Sequence, residues 1–124
     1  MSEQVGAYKV ALADLDAGGG VLSLLNPEGA DLIITKIVLD VTTPSTGACT
    51  VDAGVGAAAT TVYDNLIDGL DVNAAVGVFD NIDDQGTNGQ SVLRWESGKY
   101  LTISTKTGAA ADLVGNAYIG YMRV

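Results

Sequence analysis

The chain has 124 residues, fifteen of them acidic and six basic, with no histidine and a formal net charge of −9. That balance repels phosphate backbones and anionic lipid surfaces, so no nucleic acid and no membrane is expected as a partner. The missing histidine removes Ser-His-Asp and Cys-His triads, histidine metal sites and the commonest general base.

Period-two alternation between turn signals runs from end to end. Met1 to Gly6 is polar and reads as a flexible arm, leaving residues 7–124 as one domain. Tyr8, Val10 and Leu12 alternate with Ala7, Lys9 and Ala11, a first strand broken at Asp16-Ala17-Gly18-Gly19-Gly20. Val21 to Leu25 is a second, closed by the turn Asn26-Pro27-Glu28-Gly29. Leu32 to Thr42 is the longest, with Ile33, Thr35, Ile37, Leu39 and Val41 expected on one face. Ala48 to Ala53 follows; Gly54 to Thr61 is open to strand or loop. Asp64 to Leu70 reads as a turn or single helical turn, Val72 to Phe79 as extended, and Asp80 to Gln90 as a polar surface loop. Val92 to Glu96 puts Leu93 and Trp95 on one face, and Tyr100 to Thr105 aligns Leu101 with Ile103. Ala117 to Val124 closes the chain, with Ile119 and Tyr121 opposite Tyr118, Met122 and Val124. The expected fold is all-β: a single antiparallel β-sandwich of seven to eight strands, jelly-roll-like, with an immunoglobulin-like sandwich as the alternative.

Little in this pattern carries chemistry. Cys49 is the only cysteine, which excludes an intrachain disulfide and suits a small buried side chain. Gly18-Gly19-Gly20 lacks the Gly-Lys-Ser/Thr continuation of a phosphate loop. Asp83 and Asp84 are adjacent, so on extended backbone they point to opposite faces and cannot flank one bond. The Asp80 to Gly89 loop and Asp14-Leu15-Asp16 both miss the EF-hand pattern, the first for want of a distal Glu where Val92 stands. Trp95, the sole tryptophan, is expected in the core rather than as a sugar-stacking platform. No catalytic residue, metal ligand or cofactor is assigned, and the chain is expected not to be an enzyme. Met1-Ser2-Glu3-Gln4 has no basic start or apolar run, so synthesis and retention in a cytoplasm are expected.

The stretch Asp64-Asn65-Leu66-Ile67-Asp68-Gly69-Leu70-Asp71-Val72, then Gly77-Val78-Phe79-Asp80-Asn81, Gly98-Lys99-Tyr100-Leu101-Thr102-Ile103 and Gly108-Ala109-Ala110-Ala111-Asp112-Leu113-Val114-Gly115-Asn116-Ala117-Tyr118-Ile119, resembles the head decoration, or cement, proteins of tailed bacteriophages. The likeness covers the C-terminal half and consists of framework and turn residues. It implies a structural virion protein on the outer capsid surface, bound to the major capsid protein, homo-oligomeric and often trimeric. A carbohydrate-binding β-sandwich module of a virion or secreted protein is the alternative. The last strand is apolar on both faces, so Tyr118, Met122 and Val124 are the candidate interface residues.

Overall fold

In the computed structural model, which describes residues 4–13 and 20–124, the alternation is realised as nine strands and no helix. They are β1 (Val5–Leu12), β2 (Gly20–Leu25), β3 (Leu32–Thr43), β4 (Cys49–Gly56), β5 (Ile67–Asp71), β6 (Gly77–Asp80), β7 (Leu93–Trp95), β8 (Tyr100–Gly108) and β9 (Val114–Arg123). One sheet runs β1-β9-β3-β6, with β7 also on β3; the other runs β2-β8-β4-β5. All pairings are antiparallel. Consecutive strands cross between the sheets except at β4–β5 and β6–β7, which is the strand order of a jelly roll. The ninth strand arises because β6 and β7 share one strand's place: β7 pairs Leu32 to Ile34 and β6 pairs Val38 to Val41.

The core lies between the sheets. Ile34, Ile37, Leu39, Ala117 and Ile119 from one sheet meet Leu22, Val51, Ala53, Ile67, Leu101 and Ile103 from the other, all nearly or fully buried. Trp95 is fully buried and its indole N–H donates to Lys99 O at 3.0 Å. Cys49 is buried, with its Sγ 3.8 Å from Thr50 O. No buried side-chain nitrogen or oxygen among the described residues lacks a partner.

Several local expectations are corrected. The face assignment in β3 fails at Ile33, because the pairing with β9 steps from Ile34↔Tyr121 to Lys36↔Gly120 and leaves Thr35 as a bulge. One extra residue reverses the alternation. Leu32 and Ile34 therefore point inward before it, Ile37, Leu39 and Val41 after it, and Ile33 points out. The turn expected over Asp64 to Leu70 contains β5, held by Asp68 opposite Asp52 and Ile67 opposite Ala53. Strand in Val72 to Phe79 is confined to Gly77 onward. Val5 and Gly6, in the expected arm, belong to β1 and pair with Met122 and Tyr121; Met1 to Glu3 lie outside the described residues, as do Asp14 to Gly19.

Asn81 is the largest departure from the surface-loop reading: it is fully buried. Its Oδ1 accepts from Ile37 N at 3.0 Å, and its Nδ2 donates to Gln90 O at 2.8 Å and Ser91 O at 3.1 Å. One side chain thereby clamps both ends of the β6–β7 loop to β3. Asn26 acts similarly, donating to Ala30 O and Trp95 O while accepting from Glu28 N.

Candidate functional site

The two outer sheet faces are treated differently by the chain. Across the outside of the β2-β8-β4-β5 sheet lies the β4–β5 loop. Ser23 Oγ donates to Ala59 O at 2.8 Å and Thr102 Oγ1 to Thr61 O at 2.9 Å, while the Asn65 side chain brackets the N–H and C=O of Val55. The Tyr63 ring lies on Gly56, where any Cβ would sit 2.1 Å from the ring; only glycine admits this cover. Thr102 and Ser104 are consequently buried although they point outward.

No described segment covers the other outer face. Residues directly opposed in a ladder share a face, so the register defines its rows. Val5, Met122, Ile33 and Arg94 form one; Lys9, Tyr118, Val38 and Asp80 another; Ala11, Asn116, Asp40 and Val78 a third. Met122 is 39% exposed, Val5 62% and Val78 69%. Tyr118 is half-buried, with the Lys9 ammonium 5.9 Å from its ring centroid. Two of the expected interface residues thus stand on this face, and Val124 is exposed just beyond β9. Val38 follows from its alternation with Ile37 and Leu39; Ile33 was not legible, because the Thr35 bulge decides which side chains emerge before it, and Val5 had been assigned to the arm.

Charge sharpens the contrast. The face carries Lys9, Lys36 and Arg94, half of the chain's cations, against Asp40 and Asp80, two of its fifteen acids. Lys36 pairs with Asp80 at 3.5 Å and Arg94 with Asp31 at 3.2 Å. With Asp31 counted beside Arg94, the face is near neutral on a −9 chain, so a partner can approach it without meeting the general acidity.

Beside it, Tyr8 stacks on Tyr121 with ring centroids 4.8 Å apart, and the Tyr8 hydroxyl donates to Glu28. Arg123 Nε reaches Glu28 Oε1 at 2.8 Å. This network ties β1 and β9 to the β2–β3 turn. Burial, with the Glu28 carboxylate alongside, pushes the Tyr8 hydroxyl well above its ordinary range.

Of the carboxylates weighed as chemistry, Asp80 serves the fold. Asp80 Oδ1 accepts from Ile82 N and Asp83 N at 2.8 and 2.9 Å, and those N–H groups hold its pKa down. Asp83 is exposed and Asp84 half-buried, both within a turn rather than on extended backbone. Burial raises the pKa of Asp84, with the charges of Asp83 and Asp80 adding to it. A cluster the sequence did not signal joins Asp52, Asp64 and Asp68, with carboxylate oxygens within 4.8 Å of one another. These residues come from β4, the covering loop and β5, with no spacing to reveal them. Its cation is the protein's own: Lys106 Nζ lies 2.6 Å from Asp68 Oδ1 and depresses that pKa. Asp52 is buried, which raises its pKa despite the Gly69 N–H bond at 2.9 Å; the charges of Asp68 and Asp64 push the same way.

The signs differ for the two. A carboxyl raised in the fold destabilises as pH climbs from the ordinary range of about 4 through its folded value. Asp52→Asn, which keeps an oxygen for Gly69 N, should therefore raise the denaturation midpoint at neutral pH and lose that advantage below about pH 4. Asp68→Asn should do the reverse at neutral pH. Urea titrations of both variants at two pH values would show it, and an Asp52→Asn variant less stable than the parent at pH 7 would contradict it.

Trp95, buried and bonded to Lys99 O, is closed to sugar stacking. No protein-family model and no curated protein matches the sequence. Among solved structures, the fold is similar to that of a chain in the capsid of Ralstonia phage GP4, with a TM-score of 0.61 and 18% identity, across 97% of this chain and 83% of that one.

Proposed function

We propose that this chain is a non-enzymatic structural virion protein, a decoration or cement protein that seats on the outer surface of a phage head and binds the major capsid protein. The observation that carries the reading is the fold likeness to a phage capsid chain over 97% of the sequence. The sequence resemblance to head decoration proteins supports it, as does a histidine-free chain in which backbone N–H groups occupy Asp80 and Lys106 occupies Asp68. The uncovered sheet face supplies the contact surface. Further copies of the same chain, as a trimer, complete the reading.

Attachment carried by the apolar side chains of that face should survive salt. At about 1 M salt the Debye length falls to about 3 Å, which weakens exposed ion pairs but not apolar burial. Purified protein mixed with phage heads lacking it should co-sediment with them, stay bound at that salt, and raise the temperature at which they break open. Release on raising salt, or failure to bind heads at all, would overturn the reading.

A further inference from the structure

The four sheet edges are not equally protected. Unpaired edges recruit strands, and proteins blunt them with bulges, charges or short lengths. β2 carries a bulge at Val21 and ends beside Pro27. β5 has five residues, with Asp68 and Asp71 on it and Gly69 at φ 87°. β6 and β7 have four and three residues. β1 has none of these defences: eight residues pair with β9 without a register shift, with no proline and one charge, Lys9.

The ladder fixes which backbone groups are free. Arg123 N donates to Gln4 O at 2.6 Å, and hydrogen-bonded pairs recur every second residue. The even-numbered residues of β1 therefore face β9. The N–H and C=O groups of Val5, Ala7, Lys9 and Ala11 point away from it, as Ala13 N does in reaching Val21 O.

We infer that β1 accepts an extended strand from a subunit of the shell, which lengthens the β1-β9-β3 sheet by strand addition. This rests on the reading above and names the contact within it. The incoming strand would lay apolar side chains beside half-buried Tyr8 and Val10. On the other face it would place small residues beside Val5, Ala7 and Ala11, and a carboxylate beside Lys9, which has no acidic partner among the described residues. A second copy is a poorer occupant. In a cyclic trimer β1 would have to match one of the bulged or short edges.

Hydrogen exchange on the wild-type chain reads this directly. In the free protein the amides of Val5, Ala7, Lys9 and Ala11 should exchange fast and those of Gly6, Tyr8 and Val10 slowly. On heads, the odd-numbered amides should slow at least tenfold (roughly 1.4 kcal/mol). Ala7→Pro removes an outward N–H and no intrachain bond, so it should keep the fold and weaken head binding about tenfold or more. Head binding with unchanged exchange at Val5, Ala7, Lys9 and Ala11 overturns the strand-addition inference and leaves the decoration reading standing. Absence of head binding overturns both, and protection appearing in a concentrated solution of the protein alone assigns the edge to self-association instead.

Discussion

Asn81→Ala is expected to lower the unfolding free energy by about 2–3 kcal/mol, because it orphans one buried backbone N–H and takes the shared donor from two part-buried carbonyls. Ile37 N loses its acceptor, and the carbonyls of Gln90 and Ser91 lose a shared donor. A group left buried and unpaired, as Ile37 N would be, costs about 1–3 kcal/mol, whereas the two carbonyls lie on exposed residues within reach of water. The vacated volume is too polar to be offset by apolar packing, and partial water entry would set the lower end of the range. Gln90→Ala, which trims an exposed neighbour, should move stability by less than about 0.5 kcal/mol. Urea denaturation followed by Trp95 fluorescence would register both as midpoint changes at constant slope. An Asn81→Ala midpoint matching that of Gln90→Ala would show the clamp to be dispensable.

That residue marks where sequence reasoning ended. The strands were legible because period two persists through Tyr8 to Leu12, Ile37 to Val41, Leu93 to Trp95 and Tyr100 to Thr105, and alternation reports which side chains can share a core. Asn81 was not, since an asparagine amid Asp80, Asp83 and Asp84 looks solvated; only the return of Gln90 and Ser91 makes its interior site satisfiable. β5 was missed for a related reason. Asp64, Asn65, Asp68 and Gly69 have low strand propensity, and pairing with β4 overrides it.

The candidate face was half legible. Tyr118 and Met122 alternate cleanly with Ile119 and Tyr121, so their outward direction follows from the strand alone. Ile33 does not, because the Thr35 bulge is a pairing event with no local signature. The same holds for the opposite sheet: nothing in Gly54 to Thr61 announces that the segment beyond Gly56 folds back and seals a surface, though Gly54 and Gly56 are the residues that permit it. Which face stays open was therefore a tertiary outcome.

On that outcome rests the second large effect. Tyr118→Asp with Met122→Lys places two charges on the open face without touching the core. The new carboxylate at position 118 would lie opposite Lys9, and the new ammonium at position 122 would remain exposed between Val5 and Ile33, so the free protein should fold normally. On docking, the ammonium at position 122 would be buried without a partner, which costs several kcal/mol, and affinity should fall at least about a hundredfold, near 2.7 kcal/mol. Val62→Asp, on the loop that seals the other sheet, is the matched control, 44% exposed in the parent. The decisive measurement is the dissociation constant for heads lacking this protein, by co-sedimentation of the three chains. Binding lost in the Tyr118/Met122 variant and kept in Val62→Asp is the predicted result; binding kept in the first and lost in the second would contradict the assignment of the docking face.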